Sequence, residues 1–309
     1  MRNAFADEVT RLAAEDSRVV LLSGDIGNRL FDKLRAQSPD RFMNCGVAEQ
    51  NMMGVAAGMG LSGLRPIVYT ITPFTTTRCL EQIRVGVAYH ESPVVIVGTG
   101  SGLSYASLGP THHSLEDFAI LRAIPNMQIF APWDATSLRS LLRQAIASGQ
   151  PSYLRIGKKG EKEIAPQDRI PQIGDGLSVR QGKDLCIIAV GTMANEAITA
   201  ADKLAMAGVH AEVVLAHTIK PVPTNLFRNL TKRFNTLVTV EEHSVVGGFG
   251  EQLASYLARN GLSRSLACLG TGDKFMSTVG SQAFARKYFE IDAQNIARVA
   301  RQLFKRTNI

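Results

Sequence analysis

The sequence lacks most of what would place it outside the ordinary globular classes. No stretch approaches about 18 uninterrupted apolar residues, which excludes a membrane-spanning helix. Aromatic residues are only 6% of the 309, with a single Trp, and no concentrated Lys/Arg stripe lies beside them, so the stacking platforms of nucleic-acid binders are missing. Cysteine is scarce: Cys45, Cys79, Cys186 and Cys268 sit far apart in apolar runs, with no pair at metal-ligand or redox-motif spacing. Free thiols in a reducing cytosol fit this usage. Asp7, Glu8, Glu15 and Asp16 interrupt the first twenty residues at helical spacing, so no secretory signal is expected and the location is read as cytoplasmic.

What remains is a chain 45% hydrophobic and 20% charged, whose length suggests two domains at ~100–200 residues each. Lys plus Arg (34) exceed Asp plus Glu (27), giving +7, which admits anionic partners without choosing among them. Short apolar runs alternate with helical patterns. Val19–Leu22, Ile67–Tyr69, Val94–Val97 and Gln128–Phe130 read as buried strands, and segments 114–124 and 134–147 as amphipathic helices. Ser114 with Asp117 reads as a capping box for the first helix and Asp134 as the cap of the second. The pattern lapses into Lys158-Lys159-Gly160-Glu161-Lys162-Glu163 and restarts with Leu185–Val190, a helix over 193–207, Ala211–Leu215, Leu237–Val240, a helix over 247–260, Leu266–Leu269 and a closing helix from about 293. The fold class is therefore α/β, two doubly wound domains with mainly parallel sheets, covering 1–160 and 183–309 with a linker at 161–182.

The glycine-rich run Gly54–Gly60 lies inside a helical pattern and does not follow a strand directly, so it reads as close helix packing and not as a dinucleotide fingerprint. Gly174-Asp175-Gly176 opens like a thiamine-type metal motif, but it falls in the linker and no paired asparagine follows. Gly24-Asp25-Ile26 has the wrong third residue. No metal ligand is assigned to this chain. Arg41–Gly54 differs in kind: Glu49 opens a helix whose next two turns are almost wholly small or apolar, surroundings that disfavour a charged carboxylate. The service of Glu49 to the helix N-terminus explains it equally well. A second stretch, Gly98–Gly102 continuing through Leu108-Gly109-Pro110-Thr111-His112-His113, is a loop after a strand that delivers two histidines to the place where open α/β sheets build sites. Adjacent histidines point apart, so hydrogen bonding to a polar ligand fits better than a metal site.

Taken together, Gly46-Val47-Ala48-Glu49-Gln50, Thr70-Ile71-Thr72-Pro73-Phe74, Gly109-Pro110-Thr111-His112, Ile219-Lys220-Pro221 and Glu241-Glu242-His243-Ser244 resemble the pyrimidine-binding and C-terminal domains of transketolase, in order and over essentially the whole chain. The likeness is greatest to the small subunit of a split transketolase. It implies thiamine diphosphate as cofactor, with Mg2+ or Ca2+ held mainly by a partner subunit that carries the diphosphate-binding domain. It further implies self-association through both domains, two copies of each subunit, and ketol transfer from a ketose to an aldose. Glu49 then matches the carboxyl at the cofactor's pyrimidine, Ile71 and Phe74 the residues packed on that ring, and Asp25 a further cofactor contact. His112 matches the histidine that hydrogen-bonds substrate hydroxyls, and Arg155 and Arg29 match positions at or near a sugar phosphate.

Leu108 and Gly100 depart from the family's usual aspartate and histidine, which leaves the sugar open. Two other readings remain: the beta subunit of a 2-oxo acid dehydrogenase, which shares the domain order and the glutamate, and a basic scaffold module supported only by the charge. Glu242 and His243 read as opening a helix, in an interface or folding role. Arg298, Arg301, Lys305 and Arg306 read as a solvated helix face opposite Ile296, Val299 and Leu303.

Overall fold

Most of the apolar runs become strands buried on both faces, while Leu266–Leu269 forms a half-buried edge strand. The computed structural model describes residues 1–27, 29–164 and 171–307. Helix α1 (Arg2–Glu15) leads to β1 (Val19–Ser23), α2 (Asp32–Gln37), β2 (Phe42–Asn44), α3 (Glu49–Leu61), β3 (Arg65–Ile71) and α4 (Thr72–Thr75). A π-helical segment (Gln82–Tyr89) precedes β4 (Val95–Thr99), α5 (Asp117–Arg122), β5 (Gln128–Phe130), α6 (Ala135–Ser148) and β6 (Ser152–Ile156). The second half runs β7 (Gly176–Arg180), β8 (Leu185–Val190), α7 (Ala194–Met206), β9 (Ala211–Ala216), β10 (Thr218–Lys220) and α8 (Thr224–Arg233). It closes with β11 (Thr236–Ser244), α9 (Phe249–Arg259), β12 (Ser265–Thr271), α10 (Gln282–Tyr288) and α11 (Ala293–Thr307).

Two mainly parallel sheets result. The first has the order β10-β5-β6-β4-β3-β1-β2 and is parallel except at β10; the second has the order β12-β11-β8-β9-β7 and is parallel except at β7. Successive strand residues face opposite sides. Val19 and Leu21 pack with α1 and α6, whereas Val20 and Leu22 pack with α3 and the π-helical segment. In the second sheet Leu185 and Ile187 face α7 and α11. Cys186 and Ile188 face α8 and α9, in a cluster continuous with the α3 side of the first sheet.

Several sequence expectations need correction. β10 comes from the second half yet pairs edge-on with β5, so the first sheet borrows a strand. Residues 176–180, assigned to the linker, form β7 against β9, and Gly174-Asp175-Gly176 is the turn that enters it, with the Gly174 N–H donating to Thr218 Oγ1 at 3.0 Å. Residues 165–170 of that expected linker lie outside the described residues. Helix α5 starts at Asp117 without a side-chain cap, because Asp117 is engaged elsewhere. Asp134, by contrast, caps α6 in a reciprocal box with Ser137. Glu242 and His243 open no helix; they are buried inside β11. The glycine run does not pack one helix on another as expected: Gly60 lies close under Ser92 and Pro93 in the turn before β4, and Gly54 and Gly58 face outward with nothing within 4 Å of a Cβ built there.

From β1 the chain steps to β2 on one side, and from β3 to β4 on the other. The reversal between β1 and β3 opens a crevice at their carboxyl ends, where open α/β sheets bind ligands.

Candidate active site

Asp25 follows β1 and ties the crevice together. Its N–H donates to the Gly46 carbonyl at 3.2 Å, Asn44 Nδ2 donates to Asp25 Oδ1 at 3.1 Å, and the Gly46 N–H donates to Asn44 Oδ1 at 2.9 Å. Gly46 has φ +68°, a left-handed turn that glycine enters without strain, and it aims the chain into α3. Glu49 is the first residue of α3 and is 6% exposed.

The surroundings of Glu49 are not wholly apolar, in contrast to the expectation from composition. Arg78 Nη1 donates to Glu49 Oε2 at 2.9 Å, and the same guanidinium lies 4.1 Å above the Phe74 ring. Gln50 Nε2 donates to the Arg78 carbonyl at 3.0 Å, which fixes the segment that carries it. Burial and the nearby Glu49 push the Cys79 thiol up to about 12, which keeps it protonated and no nucleophile. Ile71 ends β3, buried beside this group, with Thr99 of β4 as its register partner.

The loop after β4 supplies the opposite wall. His112 stands 5.4 Å from Phe74 and 5.8 Å from Tyr105, ring centre to ring centre, and its Nδ1 is 2.9 Å from Thr111 Oγ1. Lys158 Nζ lies 4.4 Å over the Tyr105 ring. Gly100 has φ +69°, and a Cβ built there would meet Tyr105 Cε2 at 1.9 Å, so the aromatic ring fills the space a larger residue would take. Glu49, Phe74 and His112 thus meet in one cluster, to which Arg78, Tyr105 and Lys158 belong. Those three are absent from the candidates that the sequence offers. Arg78 has a signal in its spacing of four from Phe74, while Lys158 is hidden in a charge run that reads as linker.

Arg29 lines a neighbouring cavity of about 670 Å³ with Ile26, Arg35, Phe42 and Asn44, reached from the Asp25 turn. Arg155 does not join the site. It is 5% exposed; its Nε donates to Asp117 Oδ2 at 2.8 Å and its Nη2 donates to the carbonyls of Ser114 and Glu242, each at 2.7 Å. The geometry lends the expected phosphate contact no support, since Nε and Nη2 are engaged between the two domains. Among the described residues no group of three or more His, Cys, Asp or Glu side chains is placed to hold a metal ion.

Sequence profiles agree with this geometry in kind and in order. The one described as "Transketolase, pyrimidine binding domain" matches residues 1–160, and "Transketolase, C-terminal domain" matches 174–296. This chain belongs to the transketolase family. Among relatives of its own length is the 6-deoxy-6-sulfo-D-fructose transketolase subunit SqwH of Clostridium sp. (strain MSTE9), 33% identical over all of this chain and 95% of that one. An apulose-4-phosphate transketolase subunit of Phocaeicola vulgatus is 32% identical over 99% of this chain and 97% of its own. A solved split gene transketolase, described as an inactive beta4 tetramer, superimposes with a TM-score of 0.89 at 30% identity, over 99% of this chain and 98% of that one. The transketolase fold therefore accounts for both domains.

Proposed function

We propose that this chain is the pyrimidine-side subunit of a two-subunit, thiamine-diphosphate-dependent transketolase that moves a two-carbon ketol unit from an anionic ketose to an aldose. One observation carries the reading. The planar guanidinium of Arg78 stacks on Phe74 while donating to Glu49, and a flat aminopyrimidine ring asks for the same two contacts. The chemistry that bound thiamine diphosphate supplies is nucleophilic attack on a ketose carbonyl and cleavage of the adjacent carbon–carbon bond. Glu49 holds a proton at a pyrimidine ring nitrogen, Ile71 and Phe74 provide the ring's apolar seat, and Asp25 braces the turn that aims Glu49. His112 hydrogen-bonds substrate hydroxyls. With Arg155 engaged elsewhere, Arg29 and Lys158 are the cations left near the cluster for an anionic terminus.

The two relatives above support the anionic sugar, since their names denote a sulfonated and a phosphorylated one. A partner subunit with the diphosphate and Mg2+ or Ca2+ sites is supported by an exposed face on α3 and the π-helical segment. Val55, Leu61, Val85 and Tyr89 are all at least 38% exposed there, and apolar surface of that kind marks an interaction site.

Purified chain mixed with a diphosphate-domain subunit is expected to gain ketol transfer that neither has alone. Glu49→Gln in that mixture should lose at least ~100-fold in rate, with cofactor binding weakened less. Full activity of the chain on its own, or near-normal turnover of the variant, overturns the reading.

A further inference from the structure

We propose that the cavity on the far side of the catalytic loop, behind His113, is a second ligand site for a small phosphorylated sugar. Adjacent residues face apart, and the loop uses this. His112 turns toward Phe74 and Tyr105, while His113 lines a cavity of about 370 Å³ together with Ser244, Thr271, Asp273, Lys274 and Phe275. The cavity lies at the carboxyl ends of β11 and β12, where Ser244 and Thr271 are register partners. Parallel α/β sheets place ligands in that position, here on a sheet separate from the one that carries Glu49.

The wall contains polar atoms that nothing in the chain satisfies. His113 is 5% exposed and Thr271 1%, yet both imidazole nitrogens and the threonine hydroxyl have no hydrogen-bond partner among the described residues. Leaving buried groups unpaired is costly, so three orphan atoms on residues that line one cavity point to partners brought by an occupant. Burial lowers the His113 pKa and keeps the ring neutral, with one donor and one acceptor nitrogen. Each hydroxyl is likewise both donor and acceptor, which suits the hydroxyls of a sugar.

The rim selects the rest of the ligand. Lys274 makes no ion pair among the described residues; its Nζ rests 4.6 Å over the Tyr288 ring and is available to one anionic group. Asp273 and Glu116 also border the cavity, accepting hydroxyls and disfavouring a polyphosphate. Phe275, 80% exposed, offers a ring for the C–H face of a sugar. It sits at the mouth and not in the depth, which fits a sugar better than a stacked nucleobase.

The test is calorimetric titration of the full chain with fructose 6-phosphate, alongside fructose and inorganic phosphate. This requires no activity and does not rest on the cofactor reading. Saturable binding is expected, weaker by tenfold or more in Lys274→Met and in Thr271→Val, and unchanged in His112→Ala. The first two changes are an exposed head group and an isosteric swap, and circular dichroism checks that each variant folds. The absence of binding at millimolar probe overturns the proposal. So does binding that His112→Ala abolishes while Lys274→Met and Thr271→Val retain it, since that locates the sugar at the other site. Inorganic phosphate binding as tightly as the phosphosugar overturns the ligand class.

Discussion

The guanidinium of Arg155 donates to Asp117, Ser114 and Glu242 and lies 4.5 Å over the Phe118 ring. Burial alone would raise the Asp117 carboxyl, but Arg155 and then His243 overrule it and hold it low. Tyr153 Oη adds a hydrogen bond of 2.6 Å to the same carboxylate. Removing one partner of such a buried pair strands the other, at a cost of about 3–5 kcal/mol. Arg155→Met is therefore expected to lower the unfolding free energy by that order while leaving the Michaelis constant for an anionic ketose within about twofold in the folded fraction. Denaturant titration and steady-state kinetics on one preparation decide it: a raised Michaelis constant with unchanged stability would return Arg155 to the substrate. Lys158→Met should do the reverse, raising that constant roughly tenfold or more with little change in stability, because charge-assisted contacts are worth about 1.5–3 kcal/mol and its head is partly exposed.

Of the three titratable groups on strand β11, Glu241 and His243 have effects that oppose each other. Burial raises Glu241 to about 7, against the N–H groups of Gly250 and Phe249 that donate to it at 2.9 Å. Burial lowers His243 to about 4. The histidine stabilises the fold fully above its unfolded value near 6.5, and that contribution is lost as pH falls toward 4. The glutamate contributes most below its unfolded value near 4.5, and its contribution is lost as pH rises through 7. Each displacement is about 2.5 in pH, or roughly 3 kcal/mol. Over about pH 4.5–7 these two contributions nearly cancel each other, so relative to wild type Glu241→Gln should lose stability on acidification and His243→Gln should gain it. Urea titrations across that window measure all three. The same strand shows what is legible in the sequence and what is not. Val19–Leu22 and Leu185–Val190 announce themselves because both faces of a parallel strand are apolar. Glu242 and His243 read instead as the opening of a helix, since their compensation comes from far along the chain: Arg286 Nε donates to Glu242 Oε1 at 2.5 Å, and the Ala119 N–H donates to His243 Nε2 at 3.3 Å. Asp117 reads as a cap for the same reason, its partner Arg155 being distant in sequence. In the site, Glu49, Phe74 and His112 are visible through local motifs, while Tyr105 and Lys158 require the loop's three-dimensional course.

The two sheets behave as one body in their packing. The cluster containing Val20 and Val68 of the first sheet also contains Cys186 and Leu237 of the second, and β10 crosses over to pair with β5. Glu242 Oε2 accepts the Leu103 N–H at 3.0 Å, a further stitch between the halves. Heating should therefore give a single calorimetric transition whose van't Hoff and calorimetric enthalpies agree. Ile219→Ala in β10, where the side chain is fully buried, should destabilise the chain by about 2–5 kcal/mol without splitting that transition. Two resolved transitions would mean that the halves melt independently despite the shared core.

The pairing of Arg78 with Glu49 also bears on the polypeptide by itself. A carboxylate shielded from water and left alone would strain the folded chain, yet this one is paired with a neighbour whose side chain remains 43% exposed. The balance is struck inside a single polypeptide, between residues 29 positions apart. It needs no counterion from solvent and is in place as soon as the chain has folded.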